Sequence, residues 1–487
     1  MVISLTPSPT VERLYFLGVG GIAMGSVAIA CKEMGAIVSG CDSNVYPPMS
    51  ILLERSGIPY ANTYDPEHLL AFSPHAVIVG NAISRGNPVL EVALDRNIPL
   101  LSMPELLRWS FMQRSRRIVV SGTHGKTTTT SLLAWILHRC GAPVGYLIGG
   151  AVDVLGHSCR PAPPDGYFVL EGDEYDTAFF DKRSKFLHSM PTILIVTSIE
   201  YDHADIFPSY DAVVAAFRQL IRLVPQTGAV FICGDDQGAV SAGDYALSPV
   251  YLYGTSEQAS WRATDIHFDD EFTSFSIIKQ GSTFGQFRIP LIGEHNVRNA
   301  TAAIAVASHL GLSPAEIATA LEEFRPPKRR FELLCQWRGA LVVDDFAHHP
   351  TAIRATLQAA RHRYPHRRIV ACFEPRSNTA AQAVFQHAFA DALAAADLVF
   401  LCPVYRAERY SPDQRLNREL LSRDLSARGI KCYVIPDGPA WGNTAFEMLR
   451  AAVHPNDLVI LMSNGNIGGL RQLIISDAQT TSPLRQA

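Results

Sequence analysis

Two apolar runs in this chain end in glycine and open into helical periodicity, and this pattern limits the fold more than any other feature. Residues 14–17 feed Gly18-Val-Gly20-Gly21-Ile-Ala-Met-Gly25, and residues 118–121 feed Gly122-Thr123-His124-Gly125-Lys126-Thr127-Thr128. A strand, a glycine turn and a helix in that order belong to parallel α/β sheets, where the helix N-terminus and free backbone amides face an anion. The pattern predicts a chain of βαβ units and at least two phosphate-binding edges.

The first loop, followed at the end of the next strand by Asp42, suggests a dinucleotide site with a ribose-binding acid. Its spacing departs from Gly-x-Gly-x-x-Gly, and tight strand–helix packing alone also explains its glycines. In the second loop, backbone amides can wrap a triphosphate, Lys126 can reach its terminal phosphates and the Thr127 hydroxyl suits Mg2+. Position 120 is valine where the full phosphate-loop motif has glycine. The structural alternative is a plain Gly-Lys-Thr turn.

The rest of the chain alternates in the same rhythm. Strands are expected at 37–40, 76–79, 167–170, 192–196 and 230–233, with helices at 22–34, 89–96, 301–310 and 314–324. The alternating stretch 267–278 reads as an antiparallel hairpin. Strands are expected again at 340–343, 369–372, 398–401, 431–435 and 458–461. A basic seam, Gln113-Arg-Ser-Arg-Arg117, and a linker, Arg325-Pro-Pro-Lys-Arg-Arg330, divide the chain into units 1–115, 116–327 and 328–487. Three units suit 487 residues at roughly 150 per domain.

Composition excludes several classes. The formal net charge is −4, with no basic face for nucleic acid. No apolar stretch reaches the ~20 residues that cross a bilayer. The N-terminal ten residues lack the basic flank and apolar run of a signal peptide. Nine cysteines without a Cys-x-x-Cys pair suit reduced thiols in a cytosol rather than a zinc ribbon.

Acids and histidines gather where strands end. Leu170-Glu171-Gly-Asp173-Glu174-Tyr-Asp176 and Ser198-Ile-Glu200-Tyr-Asp202-His203-Ala-Asp205 follow two successive strands. Glu171 and Glu174 are candidate oxygen ligands for a cation bridging phosphates, and His203 is a candidate ligand oriented by Asp202. A solvated acidic turn is the alternative. Val343-Asp344-Asp345-Phe-Ala-His348-His349-Pro350 and Phe373-Glu374-Pro375-Arg376-Ser377-Asn378-Thr379 repeat the arrangement further on. Two acid-rich strand ends on successive strands predict one working edge.

The order of these motifs, with Gly293-Glu-His295-Asn296-Val-Arg-Asn299 and Arg329-Arg330-Phe331 between them, resembles the Mur ligase family over essentially the whole chain. The resemblance implies an α/β fold of three domains: an N-terminal Rossmann-like domain, a central ATP-binding domain with a phosphate loop and mostly parallel sheet, and a C-terminal Rossmann-like domain. It implies an ATP-dependent amide ligase acting through an acyl phosphate. Ser43-Asn-Val-Tyr-Pro-Pro-Met-Ser50, Gly80-Asn-Ala-Ile-Ser-Arg-Gly-Asn-Pro88, Phe179-Phe-Asp-Lys-Arg-Ser-Lys-Phe186, Ala347-His-His-Pro-Thr-Ala352 and Glu374-Pro-Arg-Ser-Asn-Thr379 are similar to one branch in particular. That branch joins UDP-N-acetylmuramate to the murein tripeptide L-alanyl-γ-D-glutamyl-meso-diaminopimelate in peptidoglycan recycling.

By this resemblance the first loop holds the diphosphate of a UDP-sugar and the second holds ATP. Gly18, Gly20, Gly21, Asp42, Asn81 and Ser84 would bind the UDP-sugar. Gly122, Thr123, His124, Gly125, Lys126, Thr127, Thr128, His295, Asn296, Asn299, Arg330, Asp345 and His349 would bind ATP. Thr127, Glu171 and His203 would hold Mg2+, and Lys126, Glu174, His203 and His348 would serve the chemistry. Arg376, Ser377 and Asn378 would read the acceptor, with Lys182, Arg183, Lys185, Arg406 and Arg409 as weaker candidates. Several members carry a carbamylated lysine on the helix after the Asp-His motif, but 211–222 has no lysine, so no carbamate is expected. The implied setting is cytoplasmic, with small-molecule partners, no nucleic acid, no membrane, and a monomer or weak homo-oligomer. A UDP-N-acetylmuramate–L-alanine ligase is the alternative within the family. A nicotinamide-dependent dehydrogenase and a non-catalytic nucleotide sensor are the alternatives outside it.

Overall fold

The computed structural model describes residues 12–481 other than 44, 47, 48 and 270. The N-terminal stretch and Asn44, Pro47 and Pro48 of the Ser43–Ser50 motif lie outside the described residues. Among the described residues, no helix is long and apolar enough to cross a membrane. The described cysteines are all free.

The chain builds three main sheets, and each places its glycine-rich or acidic strand ends at one edge. The first holds five parallel strands in the order Tyr60–Ala61, Ile37–Cys41, Arg13–Leu17, Ala76–Val79, Leu100–Ser102. Its strand order reverses between Arg13–Leu17 and Ala76–Val79, so the turns after Leu17 and Val79 lie side by side. A Cβ on Gly18 would sit 3.8 Å from Gly80 Cα. Ligands of open α/β sheets bind at such a switch point.

The second sheet has ten strands. Six form its parallel body: Val250–Gly254, Ala229–Cys233, Ile193–Val196, Arg116–Ser121, Tyr167–Gly172 and Val144–Leu147. Strands Ile193–Val196 and Ala229–Cys233 are buried along their whole length and read as unbroken apolar runs, as strands covered on both faces do. The antiparallel set Trp261–Phe268, Thr273–Lys279 and Ser282–Ile289 extends one edge, so the expected hairpin is present. The sequence expectation has the two acid-rich strands, Tyr167–Gly172 and Ile193–Val196, meet at one edge of a parallel sheet. In the fold, the phosphate-loop strand Arg116–Ser121 lies between them.

The third sheet has six strands, in the order Glu332–Trp337, Ala340–Asp345, Leu458–Met462, Ile369–Phe373, Leu398–Leu401, Lys431–Val434. Here too a strand from elsewhere in the chain, Leu458–Met462, separates the two acid-ended strands. Trp337 is fully buried beneath this sheet, and its indole N–H donates to Asp477 Oδ2 at 2.7 Å.

The linker between the second and third units is fastened on both sides. Lys328 N–H donates to Ala151 O at 3.0 Å, and the Lys328 ammonium pairs with Asp153 and Glu332 at 3.0 and 3.2 Å. Arg329 pairs with Asp344 at 3.3 Å and donates to the carbonyls of Ser463 and Gly465.

Candidate active site

Two glycines of the phosphate loop are required by geometry. Gly122 and Gly125 have φ +138° and +82°. A Cβ on Gly122 would overlap Thr197 Oγ1, and one on Gly125 would overlap Asn299 Oδ1. The loop is stitched to the strand end beside it. Thr123 N–H donates to Ser198 O at 2.9 Å, His124 N–H donates to Ser198 Oγ at 3.1 Å, and Glu200 N–H donates to Thr123 Oγ1 at 2.8 Å. Helix Lys126–Arg139 starts at once, with its positive end at the loop. Thr128 is buried in its first turn.

Lys126, Glu174 and His203 form one cluster. The Lys126 ammonium donates to Gly122 O at 2.6 Å and to both Glu174 oxygens at 3.1 and 3.0 Å. Glu174 is only 2% exposed and also meets His203 Nε2 at 3.1 Å. Burial depresses Lys126, but the charges of Glu174 and Asp173 outweigh it and keep the ammonium protonated. Burial likewise opposes protonation of His203, yet the bond and charge of Glu174 and the charge of Asp202 raise it overall. His203 sits in the left-handed region at φ +56°. Its backbone N–H is held by Asp202 Oδ1 at 2.7 Å and by Thr379 Oγ1 of the third unit at 2.9 Å. A non-glycine residue in that conformation costs about 1–3 kcal/mol and persists only where its surroundings fix it.

Thr127 and Glu171 form a second pair on the same edge. Thr127 Oγ1 donates to Glu171 Oε2 at 3.0 Å, and Gly149 N–H donates to Oε1 at 2.6 Å. Burial pushes the Glu171 carboxyl up, and Gly149, Arg330, Thr127 and Lys126 only partly offset it. A part-buried hydroxyl–carboxylate pair beside a phosphate loop fits a hard cation such as Mg2+. The His203 Nε2 is engaged by Glu174.

The other expected nucleotide contacts divide by what the fold does with them. His295, Asn296 and Asn299 lie in the first turns of helix Glu294–His309, which begins seven residues before the expected 301. Asn296 donates to Ile292 O at 2.8 Å and accepts from Asn299 at 3.1 Å, so this buried pair supports Gly125 from behind. His295 is held at about 4 by burial, then by the charges of Arg298 and Arg330, and is neutral. The Arg330 guanidinium lies over the Phe346 ring at 5.1 Å. The Asp345 carboxylate is taken up locally, accepting from Phe331 N–H at 2.8 Å, Ala347 N–H at 2.9 Å and Thr356 Oγ1 at 3.1 Å. It shapes the loop that carries His348 and His349. Burial lowers His348, whose Nδ1 faces Phe346 O at 3.0 Å. His349 is held at about 4, by burial and then by the charge of His124.

In the third unit, Arg376 lies over the Tyr405 ring at 4.1 Å and against Gly465, with Arg406 over the same ring at 5.0 Å. Ser377 Oγ accepts from Ala380 N–H at 3.0 Å. The Asn378 amide donates to Asp205 Oδ2 across the interface at 2.7 Å, on its exposed side. Lys182, Arg183 and Lys185 pair with Asp176, Asp181 and Asp173 at 2.6, 2.7 and 3.2 Å. Helix Tyr210–Ile221 carries no lysine, and Arg218 stacks on Tyr245 at 4.4 Å.

The first glycine loop is closed partly by its own hydrogen bonds. Gly18 N–H donates to Cys41 O at 2.8 Å and Gly20 N–H donates to Asp42 Oδ2 at 3.0 Å. These amides close the turn and are not free donors for a diphosphate. Asp42 also accepts from Tyr64 and Ser43, at 3.1 and 2.7 Å. Gly21 N–H makes only a long 3.5 Å contact with Gly18 O. Gly21 and the first N–H groups of helix Ile22–Glu33 therefore remain to face an anion. Asn81 and Ser84 are exposed on the neighbouring turn.

Sequence reasoning passed over the 463–467 loop. Glu374 is 2% exposed, accepts from Ser463 Oγ and from Ile467 N–H, and pairs with Arg376 at 3.4 Å. The available signal was Ser463-Asn-Gly-Asn466 after a strand, a small polar turn of the kind that ends a ligand-facing strand.

A phosphate loop between two acidic strand ends, closed by a third α/β unit, defines a nucleotide-dependent transferase or ligase site. Comparison with known proteins narrows this. Residues 13–115 match the Mur ligase family catalytic domain, 120–307 the Mur ligase middle domain, and 329–465 the Mur ligase glutamate ligase domain. The chain belongs to the Mur ligase family and is an ATP-dependent ligase. It is 38% identical over 468 residues to the UDP-N-acetylmuramate–L-alanyl-γ-D-glutamyl-meso-2,6-diaminoheptandioate ligase of Escherichia coli K12, covering 95% of this chain and 97% of that one. It is 39% identical over 472 residues to the Haemophilus influenzae enzyme of the same name, covering 95% and 98%. The murein peptide ligase structure from Psychrobacter arcticus 273-4 superposes with TM-score 0.74 at 32% identity, covering 97% of this chain and all of that one.

Proposed function

We propose that this chain joins UDP-N-acetylmuramate to the tripeptide L-alanyl-γ-D-glutamyl-meso-diaminopimelate at the expense of ATP, in the cytoplasm, as a step of peptidoglycan recycling. The observation that carries the reading is the Lys126–Glu174–His203 cluster, set at a phosphate loop and contacted by Thr379 of the third unit. The full-length likeness to two tripeptide ligases supports the choice of substrates.

The chemistry runs in two steps. A carboxylate oxygen of the muramate attacks the γ-phosphorus of ATP, the bond to the bridging oxygen breaks, and ADP leaves. The peptide amine then attacks the carbonyl carbon of the acyl phosphate, loses a proton, and expels phosphate to leave the amide. Both steps bring anions together, so a fixed cation at the loop lowers the barrier. Lys126 fills that role, oriented by Glu174 and Gly122 O. Mg2+ would be held by Thr127 and Glu171, where it would offset phosphate charge. His203 would join it only if released from Glu174. His348, kept neutral by burial, is the group suited to take the proton that the amine loses as it attacks. Arg376 and Arg406, braced on Tyr405, would meet the acceptor's carboxylates. UDP would lie at the switch point of the first sheet, against Gly21 and the 80–84 turn. The three units would divide at 115/116 and 327/328.

The test is product mass spectrometry with UDP-N-acetylmuramate, ATP and a panel of alanine, tripeptide and tetrapeptide. The tripeptide adduct is expected; an alanine adduct alone would reassign the chain to the L-alanine-adding branch. Muramate labelled with heavy oxygen in its carboxylate should pass one label to the released phosphate. Unlabelled phosphate would rule out the acyl phosphate.

A further inference from the structure

A set of donors separate from the Thr127–Glu171 pair converges between the phosphate loop and the third unit. His124, Glu200 and His349 each offer one ligand atom, and the three atoms lie within 4.8 Å of one another. His124 Nε2 is 3.5 Å from Glu200 Oε1, and His349 Nδ1 is 3.7 Å from Glu200 Oε2. The two imidazole rings stand 4.7 Å apart between centroids. Among the described residues this is the one place where three such donors meet.

These spacings do not make a satisfied hydrogen-bond network. His124 Nε2 is buried with no hydrogen-bond partner. Ligands bound at ~2.0–2.1 Å around a tetrahedral ion stand roughly 3.3 Å apart. The two histidine–carboxylate separations are close to that value, and the three ligand atoms, within 4.8 Å of one another, draw in by up to about 1.5 Å to reach it.

The donor chemistry selects the ion. Two imidazoles and one carboxylate suit Zn2+ and its transition-metal neighbours, whereas Mg2+ takes oxygen. Three ligands also leave a coordination position open. Two of the three donors, Glu200 and His349, are aimed by a neighbour, as metal ligands generally are. Thr351 Oγ1 donates to Glu200 Oε2 at 2.6 Å, and Tyr201 O faces His349 Nε2 at 3.4 Å, which leaves Nδ1 as the ring's lone pair. Thr351 N–H reaches Nδ1 only through a long 3.3 Å helix cap, which an ion would displace.

We propose that His124, Glu200 and His349 form a binding site for a Zn2+-class transition-metal ion that ties the phosphate loop to the third unit. Two ligands come from the central unit and one from the third, so the bound ion clips the two together. If the ligase reading above holds, loss of the clip at low zinc slows turnover in a way that added Mg2+ does not relieve.

The experiment titrates the metal-free full-length protein with Co2+ and follows visible absorption, with no nucleotide present, so its outcome is independent of ligase activity. A low-coordinate nitrogen–oxygen site gives intense visible bands, and an octahedral oxygen site gives weak ones. One equivalent should give the intense band, Zn2+ should displace it, and Mg2+ should not. His124→Ala and His349→Ala should each abolish it or weaken binding at least about tenfold, since loss of even an outer-shell partner costs that much. His203→Ala and Glu171→Gln should keep it. Circular dichroism checks that the variants fold, and Glu200→Gln decides in the same way should a histidine variant unfold. A weak band only, a band surviving loss of these ligands, or a band lost in His203→Ala would overturn the proposal and leave the three residues as an interdomain ion pair.

Discussion

Glu174 shows how much one side chain can depend on its place. In the sequence it is one of four acids in a turn, and in the fold it is the buried anion that holds both Lys126 and His203. Glu174→Gln keeps the shape and removes the charge. It should lower phosphate release at saturating substrates by about 100-fold or more, because charge stabilisation at the transition state is worth that much per group. Gly125→Ala is expected to fail differently. Its φ of +82° and the Asn299 amide behind it leave no room for a methyl group. Strain of roughly 1–3 kcal/mol should appear in denaturant unfolding, and ATP binding measured by calorimetry should be lost.

Elements formed where their own residues specify them. Continuous apolar runs such as Ile369–Phe373 and Leu398–Leu401 were readable because both faces are buried. Short polar strands such as Asp176–Ala178 and Asp181–Ser184 were not, because they pair with each other in a small two-stranded sheet and carry no apolar pattern. Helix Glu294–His309 was read seven residues late, since its first turns are a polar motif packed against the phosphate loop. Helix Pro314–Glu322 starts where expected, at a capping box formed by Ser313 and Glu316, and ends two residues before the expected 324. Ser313→Ala should cost about 1 kcal/mol in thermal or denaturant unfolding and leave ligation unchanged.

At the scale of the whole molecule, the interface between the second and third units sets its response to acid. His295 and His349 are held at about 4, while an unfolded histidine titrates near 6.5. Between those values the unfolded chain binds protons that the folded chain does not. Stability is therefore full above about 6.5 and falls as the pH drops toward 4. One pKa unit corresponds to ~1.4 kcal/mol, so each histidine couples ~3 kcal/mol over that window. Unfolding midpoints measured in chelator from pH 7 to pH 4 should fall, and His295→Gln should flatten the decline. An unchanged slope would show that His295 is protonated in the folded state.

What the sequence by itself determined is local. It set the two glycine loops, the apolar strands, the acids and histidines at their ends, and so the kind of chemistry the edge performs. Backbone conformation and side-chain chemistry are written residue by residue, which is why Gly122, Gly125, Lys126 and Glu171 could be picked out in advance. Strand order was decided only by the tertiary structure. The phosphate-loop strand enters between the two acidic strands, and Leu458–Met462 enters between the acid-ended strands of the third sheet. That placement set Asn378 against Asp205, drew His203 to Glu174, and brought His349 to His124. The physical reason is that a strand's neighbours are chosen by burial of both sheet faces across the whole unit, an energy that no short stretch of chain carries.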